Sequence, residues 1–532
     1  MTEKKAIRID ARGVTTLSSR RVFEVRVGNL VGYVDAAAHV ASPQEAPQAL
    51  FAYGILATGH KLTAVRRAMS DVADFEPADL IDRVGHSGQH FVYVDGSVYS
   101  PPDAPAAKVI VPSRKASRRA GTLEGWQNDV AAPLARNPIC EFAMAIPFTA
   151  ALRQYTGRAD NFGWLFHGPR GCGKSVLLAL AGSSIDMAPG QLADSYVMSF
   201  ASTTAGIEQE MVRHADHPML IDELNLYGMN LSPKMRGRAL IDLITLLGRG
   251  EDRRRFHGQV GSYRFVYAFT GNESLDEIIG GTSQTKVTDS VADRLMSIPL
   301  DHRPYSVFAE CETAQLDCGD LIAQLMVAQT REHGTAMPAY LQALVSFVAR
   351  DPSAFRETLE HHLRDFRRAA GAIGRGGEIK RVADAFGLVY AATRLAKHFG
   401  VLPDSYDPLK STLYCYDRYR LAGTTNPNAA DTILSLFDHP DTIDLDQTGR
   451  LNISKETFSA HLAFKSTKRS GENELLVSAA SLERILPRWS DIKKDNHQIA
   501  RILNGDKTDG TVKRGVRVGE KDRVYCFVKP IV

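Results

Sequence analysis

The sequence is poor in the features that mark secreted, metal-binding and membrane proteins. Its six cysteines are scattered over 532 residues and form no C-x-x-C pair. That spacing argues against a disulfide framework and a zinc site, and it favours a reducing cytosol. No apolar run approaches the roughly 18 residues that a membrane helix needs, and the opening residues, MTEKKAIRIDARG, lack the apolar segment of a secretory signal. We therefore expect a cytoplasmic chain with no membrane partner.

The chain also lacks a strong excess of charge of either sign. Lysine and arginine number 64, aspartate and glutamate number 61, and the formal net charge is +3. A contact with nucleic acid would therefore depend on local basic patches and not on the field of the whole molecule. The length predicts roughly two to four domains, with ample material for buried cores.

One glycine-rich stretch fits the pattern G-x-x-x-x-G-K-[ST]. An apolar run typical of a buried strand precedes it at 162–166, and an apolar run with helical periodicity follows at 176–181. Glycines let successive backbone N–H groups surround phosphate oxygens, and the start of the helix adds partial positive charge. The stretch predicts a triphosphate site formed by Gly168, Pro169, Arg170, Gly171, Cys172, Gly173, Lys174 and Ser175. Lys174 would reach the β- and γ-phosphates, and Ser175 would bind Mg²⁺. The alternative is a glycine-rich turn with an exposed lysine.

A second apolar strand, PMLIDE at 218–223, ends in two carboxylates. Such a strand delivers its acids to the carboxyl edge of a parallel sheet, beside the phosphate loop. Asp222 would then hold Mg²⁺, and Glu223 would polarise the attacking water. The alternative is an ordinary strand end.

Two further residues lie where a phosphoryl-transfer site can use them. Asn272 ends the strand FVYAFTGN and could orient the water or the γ-phosphate, or it could simply cap the next helix. Arg294, in DSVADRLMSIPL, could neutralise the γ-phosphate of a neighbouring subunit's nucleotide. The alternative for Arg294 is a salt bridge with Asp293 or Asp289.

Two basic segments are candidates for contact with DNA backbone phosphates. They contribute Arg253, Arg254, Arg255, Lys513, Arg514 and Arg517. The first three precede a plausible His257-Gly258 turn, and they could equally pair with Glu251 and Asp252 in a solvated loop. The last three lie in a predicted ribbon that follows predicted helices, a pattern that suggests a winged-helix shape. A winged fold used only for protein contacts is the alternative.

Local patterns predict strands over 21–36, helices at 49–59 and 62–71, a hairpin at 91–99 and helical structure over 122–155. Further along the chain they predict a wholly helical region at 319–400, a helix at 497–503 and a ribbon of two strands at 511–518 and 522–528.

Changes in pattern predict an α/β protein of four parts. These are an N-terminal α+β module at 1–110, a P-loop core with helices on both faces of a parallel sheet at 121–305, a helical lid at 306–402 and a C-terminal winged-helix-like domain at 403–532. Arg381, near the start of the last lid helix, could reach the phosphates if the lid closes over a nucleotide. It could also be an ordinary exposed base.

The motifs occur in the order of a known family. They are GTLEGWQNDVA (121–131), FHGPRGCGKS, PMLIDE, FTGN, DRLMSIPL and IKRVADAFGLVYAA (379–392). Over about residues 20–400 the chain resembles the domain of unknown function 927 family, commonly labelled superfamily II helicase and inactivated derivatives. The resemblance implies an AAA+ ATPase similar to the helicases of mobile elements and to minichromosome-maintenance helicases. It also implies a hexameric ring, ATP and Mg²⁺ as cofactors, and translocation on DNA.

The resemblance also implies roles for individual residues. Lys174 and Ser175 look like the Walker A pair, and Asp222 and Glu223 like the Walker B pair. Asn272 resembles the first sensor, Arg294 the arginine finger and Arg381 the second sensor. The three arginines at 253–255 fall where ring helicases carry a DNA-contacting hairpin. The loop PRGCGKS departs from the family's common loop, which is richer in serine and threonine, but it keeps the groups that the chemistry requires.

These observations predict an ATP-dependent DNA helicase or translocase of a mobile genetic element or phage, acting in DNA replication. Single-stranded DNA would pass through the central pore of a homo-oligomeric, hexameric ring. An alternative is an AAA+ ATPase that loads or remodels protein partners without unwinding DNA. A third hypothesis is a DNA-binding scaffold that binds nucleotide without hydrolysing it.

Overall fold

The structure is a computed structural model that describes most of the chain. The described residues are 8–111, 118–158, 160–186, 196–200, 204–250, 263–280, 289–301, 304–311, 316–373, 377–422, 429–439, 441–445, 461–467, 473–486 and 524–528. The chain divides into two compact units, Met1–Tyr416 and Asp417–Val532. The four predicted domain boundaries stay predictions. No helix in the described part is long and apolar enough to cross a bilayer.

The first unit begins with a four-stranded sheet of order β3-β2-β1-β4. Its strands are β1 (Ile9–Thr15), β2 (Arg21–Val27), β3 (Leu30–Asp35) and β4 (Phe75–Pro77), and its helices are α1 (Ala36–Ala41), α2 (Ala46–Phe51) and α3 (Gly59–Ser70). The strand-like alternation predicted at 21–36 is confirmed as the β2–β3 hairpin. The helix predicted at 49–59 is wrong in its second half, because the chain turns after Phe51 and Gly54 takes a positive φ of 76°.

Short strands complete this module. They are β5 (Leu80–Ile81), β6 (Gly85–Ser87), β7 (His90–Val92), β8 (Val98–Tyr99) and β9 (Lys108–Val109). The predicted Phe91–Tyr99 hairpin is confirmed, with Phe91 opposite Tyr99. Its turn is closed by Asp95, whose carboxylate accepts the Ser97 N–H at 2.8 Å, and by Gly96 at a φ of 83°.

A helical segment leads into the central sheet. It contains α4 (Leu123–Trp126), a π-helical turn (Gln127–Ala131), 3-10 turns (Ala132–Leu134 and Ala150–Tyr155) and α5 (Pro138–Thr149). Every residue of α5 is buried. Its first turn is capped by Asn137, whose side-chain oxygen accepts two backbone N–H groups. The prediction of helix over 122–155 is confirmed, and its role is to pack against the sheet.

Five parallel strands form the central sheet, in the order β11-β12-β13-β10-β14. They are β10 (Phe162–His167), β11 (Met198–Ser199), β12 (Pro218–Asp222), β13 (Val266–Gly271) and β14 (Leu295–Pro299), and the helices between and after them are α6 (Lys174–Gly182), α7 (Thr204–Arg213), α8 (Pro233–Arg249), α9 (Leu275–Gly280) and α10 (Asp289–Ala292). The apolar composition of β10, β12 and β13 follows from burial on both faces.

Side chains alternate between the two faces of this sheet. Leu165, Ile221 and Phe269 point to a core that they share with α7, α8 and α9. Trp164 points the other way and meets the ring of Phe142 in α5 at a centroid distance of 5.5 Å. The central sheet therefore carries helices on both faces, as the sequence predicts.

The rest of the first unit is helical, as predicted, and a further helix crosses into the second unit. The helices are α11 (Cys318–Arg331), α12 (Ala336–Arg350), α13 (Pro352–Ala369), α14 (Gly377–His398) and α15 (Pro408–Ala422). Helix α14 packs on the same face of the central sheet as α5, because its Phe386 ring lies 5.5 Å from Phe142 and 6.1 Å from Trp164.

The second unit contains a four-stranded sheet of order β15-β16-β17-β18. Its elements are α16 (Ala429–Ser435), β15 (Thr442–Asp444), β16 (Ala463–Thr467), β17 (Asn473–Ser478), α17 (Ala479–Ile485) and β18 (Val524–Val528). The strand predicted at 522–528 is confirmed as β18, which runs antiparallel to β17. The predicted helix at 497–503 and the other ribbon strand at 511–518 lie outside the described residues, so the winged-helix shape stays a prediction.

Candidate functional site

The strand order brings the chain segments that follow β10, β12 and β13 to one edge of the sheet. Strand β13 lies between the other two, with His167 opposite Gly271 and Ile221 opposite Phe269. In a parallel sheet all carboxyl ends lie at the same edge, which we call the carboxyl edge. The glycine-rich loop leaves β10 there, the two acids leave β12, and Asn272 leaves β13.

The loop has the backbone geometry of an anion cradle. Gly171 and Gly173 have positive φ values of 80° and 103°, a region that glycine occupies without steric cost. A side chain at Gly173 would also bring its Cβ within 2.8 Å of the Phe308 ring. Within the described residues, the N–H groups of Gly171, Gly173 and Lys174 donate to no acceptor. Such a run of free N–H groups at a helix start suits phosphate oxygens.

The carbonyl side of the loop is held by a different segment. Tyr305 N–H donates to Gly171 O at 2.9 Å, and Val307 N–H donates to Cys172 O at 3.1 Å. The side-chain amide of Asn137 in turn donates to Val307 O at 2.8 Å. Because these bonds occupy the loop carbonyls, they fix the direction of the peptide planes and leave the N–H groups for a ligand.

Lys174 is the buried cation of the loop. Its side chain is 8% exposed, and its Nζ donates to Gly168 O at 2.8 Å and to Pro169 O at 2.7 Å. These are neutral acceptors, so no carboxylate in the described part of the chain neutralises the ammonium group. A triphosphate would supply the missing negative charge, and the donor set of the loop therefore fits such a ligand.

Asp222 joins the loop to the acid strand. Its Oδ1 accepts a hydrogen bond from Ser175 Oγ at 3.2 Å and another from Thr270 Oγ1. The two predicted Mg²⁺ ligands, Ser175 and Asp222, are thus within hydrogen-bonding distance of each other. Hydroxyl and carboxylate oxygens suit Mg²⁺, which keeps most of its water and takes few protein ligands. The residues present therefore fit MgATP.

Thr270 was not anticipated from the sequence. Besides donating to Asp222, its Oγ1 accepts the backbone N–H of Glu223 at 3.0 Å. The threonine thus connects both acids to the neighbouring strand. A signal was present in the sequence, because Thr270 is a lone hydroxyl in the apolar run FVYAFTGN, two positions before Asn272.

Glu223 has an unusual backbone. Its φ and ψ are 63° and 58°, in the left-handed region that non-glycine residues rarely adopt, and its side chain is exposed. Such a conformation costs about 1–2 kcal/mol and persists where the surroundings hold it. At Glu223 the chain turns away from the direction of β12. The side chains of Asp222 and Glu223 can therefore contact different groups.

Arg236 holds the turn that follows Glu223. Its guanidinium donates to Tyr227 O at 3.1 Å and to Asn225 O at 3.2 Å, and it pairs with Glu273 at 3.3 Å. Glu273 directly follows Asn272, so Arg236 links the segments after both strands. Nothing in the local sequence marks this residue, since its partners lie well away from it along the chain.

The structure does not bring Arg294 and Arg381 to the carboxyl edge. Gly163 N–H donates to Arg294 O at 2.8 Å, so Arg294 lies beside the start of β10, at the opposite, amino edge. At about 3.3 Å per residue, the strand from Gly163 to His167 separates the two edges by about 13 Å. Both arginines are therefore placed away from the phosphate loop of their own chain.

Each of these arginines has an acidic neighbour at the amino edge. Arg294 Nη2 lies 3.7 Å from Asp160 Oδ2, and Arg381 Nε donates to Asp293 Oδ2 at 2.7 Å. The alternative of a salt bridge between Arg294 and Asp293 is not what the structure shows, because Asp293 pairs with Arg381 instead. The Arg381 side chain remains 48% exposed.

The predicted DNA-contacting residues cannot be placed. Arg253, Arg254, Arg255, Lys513, Arg514 and Arg517 lie outside the described residues. In the described ranges, no group of three or more histidine, cysteine or acidic side chains is arranged to hold a metal ion.

Comparison with known proteins finds a solved structure of similar fold and a partial match to one family model. No curated protein sequence matches it. It is similar to a solved structure described as "SCCmec type IV Cch - active helicase", with a TM-score of 0.54 and 13% identity over 98% of this chain and 93% of the other. The sequence model of the domain of unknown function 927 family matches residues 34–250. That match is shorter than the resemblance at about 20–400 and ends before Asn272, Arg294 and Arg381. The chain thus has a mixed α/β fold similar to that of this solved structure, and the family model matches less than half of the chain.

Proposed function

We propose that the chain is an ATP-dependent DNA helicase or translocase of a mobile genetic element, built on an AAA+ P-loop core. One observation carries the proposal. At the carboxyl edge, the buried Lys174 lies in a loop where the N–H groups of Gly171, Gly173 and Lys174 donate to no described acceptor, and Ser175 next to it bonds to Asp222. A triphosphate with its cation fits this juxtaposition of cation, hydroxyl and carboxylate.

In this proposal each residue has a distinct task. The N–H groups of the loop and Lys174 bind the β- and γ-phosphates, and Ser175 and Asp222 hold Mg²⁺. The cation would neutralise charge that develops on the phosphate oxygens. Glu223 accepts a proton from the attacking water at its exposed carboxylate, and Asn272 orients that water. Thr270 keeps Asp222 and the Glu223 backbone in register, since it bonds to both.

The amino edge suggests an oligomer. Arg294 and Arg381 lie about 13 Å of strand away from their own loop, so they could act only on a nucleotide bound by a neighbouring subunit. We therefore assign Arg381, like Arg294, to the neighbour's site rather than to a lid over its own. The Arg294–Asp160 pair is long, and Asp160 is 42% exposed, so a phosphate could replace this carboxylate. A closed ring, a hexamer in this proposal, would repeat the arrangement at every interface.

The DNA part of the proposal rests on the similar fold of a helicase and on the basic segments of the sequence. Arg253, Arg254 and Arg255 would contact the backbone of single-stranded DNA in the pore, and Lys513, Arg514 and Arg517 would add contacts from the second unit. Contacts of this kind weaken steeply with salt and carry no sequence information.

The test is an ATPase and strand-separation assay on the full chain, with and without single-stranded DNA. We expect hydrolysis that DNA stimulates, unwinding of a forked duplex, and loss of both in Lys174→Ala. Lys410→Ala, at an exposed lysine of α15, is the matched control and should behave as the unmodified chain. A Lys174→Ala chain that still hydrolyses ATP would refute the site. Hydrolysis without stimulation or unwinding by DNA would favour a protein remodeller, and nucleotide binding without hydrolysis would favour a scaffold.

A further inference from the structure

Arg158 connects the two arginines of the amino edge. Its Nη1 donates to the carbonyl oxygen of Arg381 at 2.7 Å, and its Nη2 donates to the carbonyl oxygen of Asp293 at 3.1 Å. Asp293 directly precedes Arg294 in the chain. One guanidinium group therefore holds the backbone of Arg381 in α14 and the backbone next to Arg294 before β14.

The Arg158 side chain is itself held by the core. Its guanidinium carbon lies 4.3 Å from the centroid of the Phe162 ring, which is only 1% exposed. Burial lowers the pKa of Arg158, while Asp293 and Asp160 oppose that shift. The group nevertheless stays a cation at neutral pH, because a guanidinium group is not deprotonated in proteins. A half-buried cation that is fixed by a ring and two carbonyl groups has few alternative positions.

Arg381 and Asp293 are also bonded directly to each other. Arg381 Nε donates to the Asp293 carboxylate at 2.7 Å, so each of the residues 158, 293 and 381 is hydrogen-bonded to the other two. The carbonyl of Arg294 is fixed as well, because it accepts from Gly163 N–H at 2.8 Å and from Tyr267 Oη at 2.7 Å. The backbone on both sides of the Arg294 side chain is thus determined by neighbours.

We infer that Arg158 is a positioning residue for the hydrolysis of a neighbouring subunit's nucleotide. By holding two carbonyl groups at once, it sets the distance between Arg294 and Arg381 and the direction in which both face a neighbour. The inference rests on the proposed function. It assigns to one half-buried residue the geometry of a half-site, meaning the two arginines that each subunit would contribute to its neighbour's nucleotide. Its own chain's phosphate loop lies at the other edge and does not depend on it.

The contact geometry calls for arginine. A guanidinium group presents two N–H donors in a rigid plane, while the ammonium group of lysine is a compact point donor that reaches one of two separated carbonyl groups well. Arg158→Lys keeps the positive charge and removes the pair of N–H donors that reaches both carbonyl groups. Arg394→Lys is the matched control, because Arg394 lies exposed on α14 and stacks on Tyr390 at 5.9 Å.

The first measurement separates binding from turnover. We expect Arg158→Lys to lower kcat about tenfold, since small misplacements of a catalytic group cost one to two orders of magnitude. The affinity for a fluorescent, slowly hydrolysed ATP analogue should stay within twofold of the unmodified chain, and so should the Tm. Arg394→Lys should leave both kcat and affinity unchanged. If Arg158→Lys does not fold, Arg158→Gln, which can still donate to one carbonyl group, replaces it.

The second measurement tests the division into half-sites. Mixed in equal amounts with Lys174→Ala subunits, which retain intact arginines, Arg158→Lys subunits should show activity about 2.5-fold above that of Arg158→Lys alone, because roughly one interface in four then joins an intact loop to intact arginines. Mixed with Arg294→Ala subunits they should gain nothing, because both variants damage the same half-site. A mixture of Arg294→Ala and Lys174→Ala subunits is the reference. It measures how much ATPase activity returns when one subunit supplies the loop and its neighbour supplies the arginines.

Each outcome is decisive. Recovery in the reference pair but none with Arg158→Lys would overturn the role of Arg158, and so would an unchanged kcat. A loss of nucleotide affinity in Arg158→Lys would show that it acts on its own subunit's site. No recovery in the reference pair would refute the arrangement across subunits, and no hydrolysis by the unmodified chain would refute the proposed function itself; the inference fails with either.

Discussion

The two edges of the central sheet carry polar groups of different kinds. At the carboxyl edge, Asp222 accepts from two hydroxyl groups, and Lys174 donates to two neutral carbonyl groups. At the amino edge three arginines pair with carboxylates: Arg381 with Asp293, Arg294 with Asp160 and Arg264 with Asp216. Among the described residues, Lys174 and Asp222 thus have no ionic partner, whereas these three arginines of the amino edge do.

This difference shows which edge can accept a ligand. Charged groups bonded only to neutral partners gain most when an opposite charge arrives, because the Coulomb attraction between the two charges then adds to the hydrogen bond. Ion-paired groups gain less, since they must first give up a partner. The carboxyl edge is therefore suited to bind a charged ligand. The amino edge is suited to stabilise the fold and to keep Arg294 and Arg381 in fixed positions.

The largest expected effect concerns the amino edge. If Arg294 acts as proposed, Arg294→Ala should lower ATP turnover by about 10³-fold, the loss typical of an arginine finger. Nucleotide binding should be unchanged because the side chain lies away from its own loop. Turnover and titration with a fluorescent nucleotide measure the two quantities, and Arg394→Ala provides the control. Weaker binding at the altered subunit's own site would contradict the separation of the edges.

The next effect concerns the carboxyl edge. Glu223→Gln removes the proposed base while it keeps size and polarity, so turnover should fall by about 10²-fold or more with nucleotide affinity retained. Glu357→Gln, at an exposed position on α13, should change neither quantity. If Glu223→Gln turned over ATP at the normal rate, Glu223 would have no catalytic role, and the base would have to be sought elsewhere.

Asp216 tests whether the amino edge is structural. This buried carboxylate accepts the His86 N–H at 3.0 Å and lies 3.4 Å from Arg83 and 3.3 Å from Arg264. Asp216→Asn leaves two arginines without their counter-charge, and we expect a loss of about 2 kcal/mol of unfolding free energy because both arginines are partly exposed. Denaturant unfolding measures the loss, with the exposed Asp103→Asn as control. Turnover per folded molecule should stay within twofold, and a much larger fall would link this residue to catalysis.

The smallest effect concerns Thr270. Thr270→Val keeps the shape and removes the hydroxyl that bonds to Asp222 and to the Glu223 N–H, at a cost of about 1 kcal/mol. Turnover should fall about fivefold, since both acids lose a shared support. The matched control is Thr393→Val, a buried threonine whose hydroxyl bonds only within α14. Equal turnover in the two variants would show that Thr270 does not position the acids.

Much of the fold follows from local patterns in the sequence. The strands at β10, β12 and β13 and the helices from α11 to α14 were predictable, because runs of apolar residues and a period of 3.6 reflect burial of each element. The helix after Ala49 was overestimated, since its end depends on a glycine with positive φ. Motif spacing also predicted Lys174, Ser175 and Asp222, and these three residues come together in the structure.

Other residues could not be predicted in this way. Arg158, Arg236 and Thr270 act through partners that are distant in sequence, and each looks like an ordinary residue beside its neighbours in the chain. The setting of Arg381 is similar. Its position near the start of a helix suggested a lid over its own nucleotide, but the ion pair with Asp293 places it at the amino edge.

By itself, the sequence determined which groups a phosphate site could use. The glycine-rich turn with its lysine and the strand that ends in acids are each a pattern of a few adjacent residues, so each is visible in the sequence. Only the tertiary structure decided which edge each group occupies. The pairing of β10 with β13 and the two hydrogen bonds of the Arg158 guanidinium join segments more than a hundred residues apart. No local sequence pattern encodes such contacts. The reason is physical: backbone conformation is set by near neighbours, whereas the pairing of strands and charges depends on the packing of the whole core.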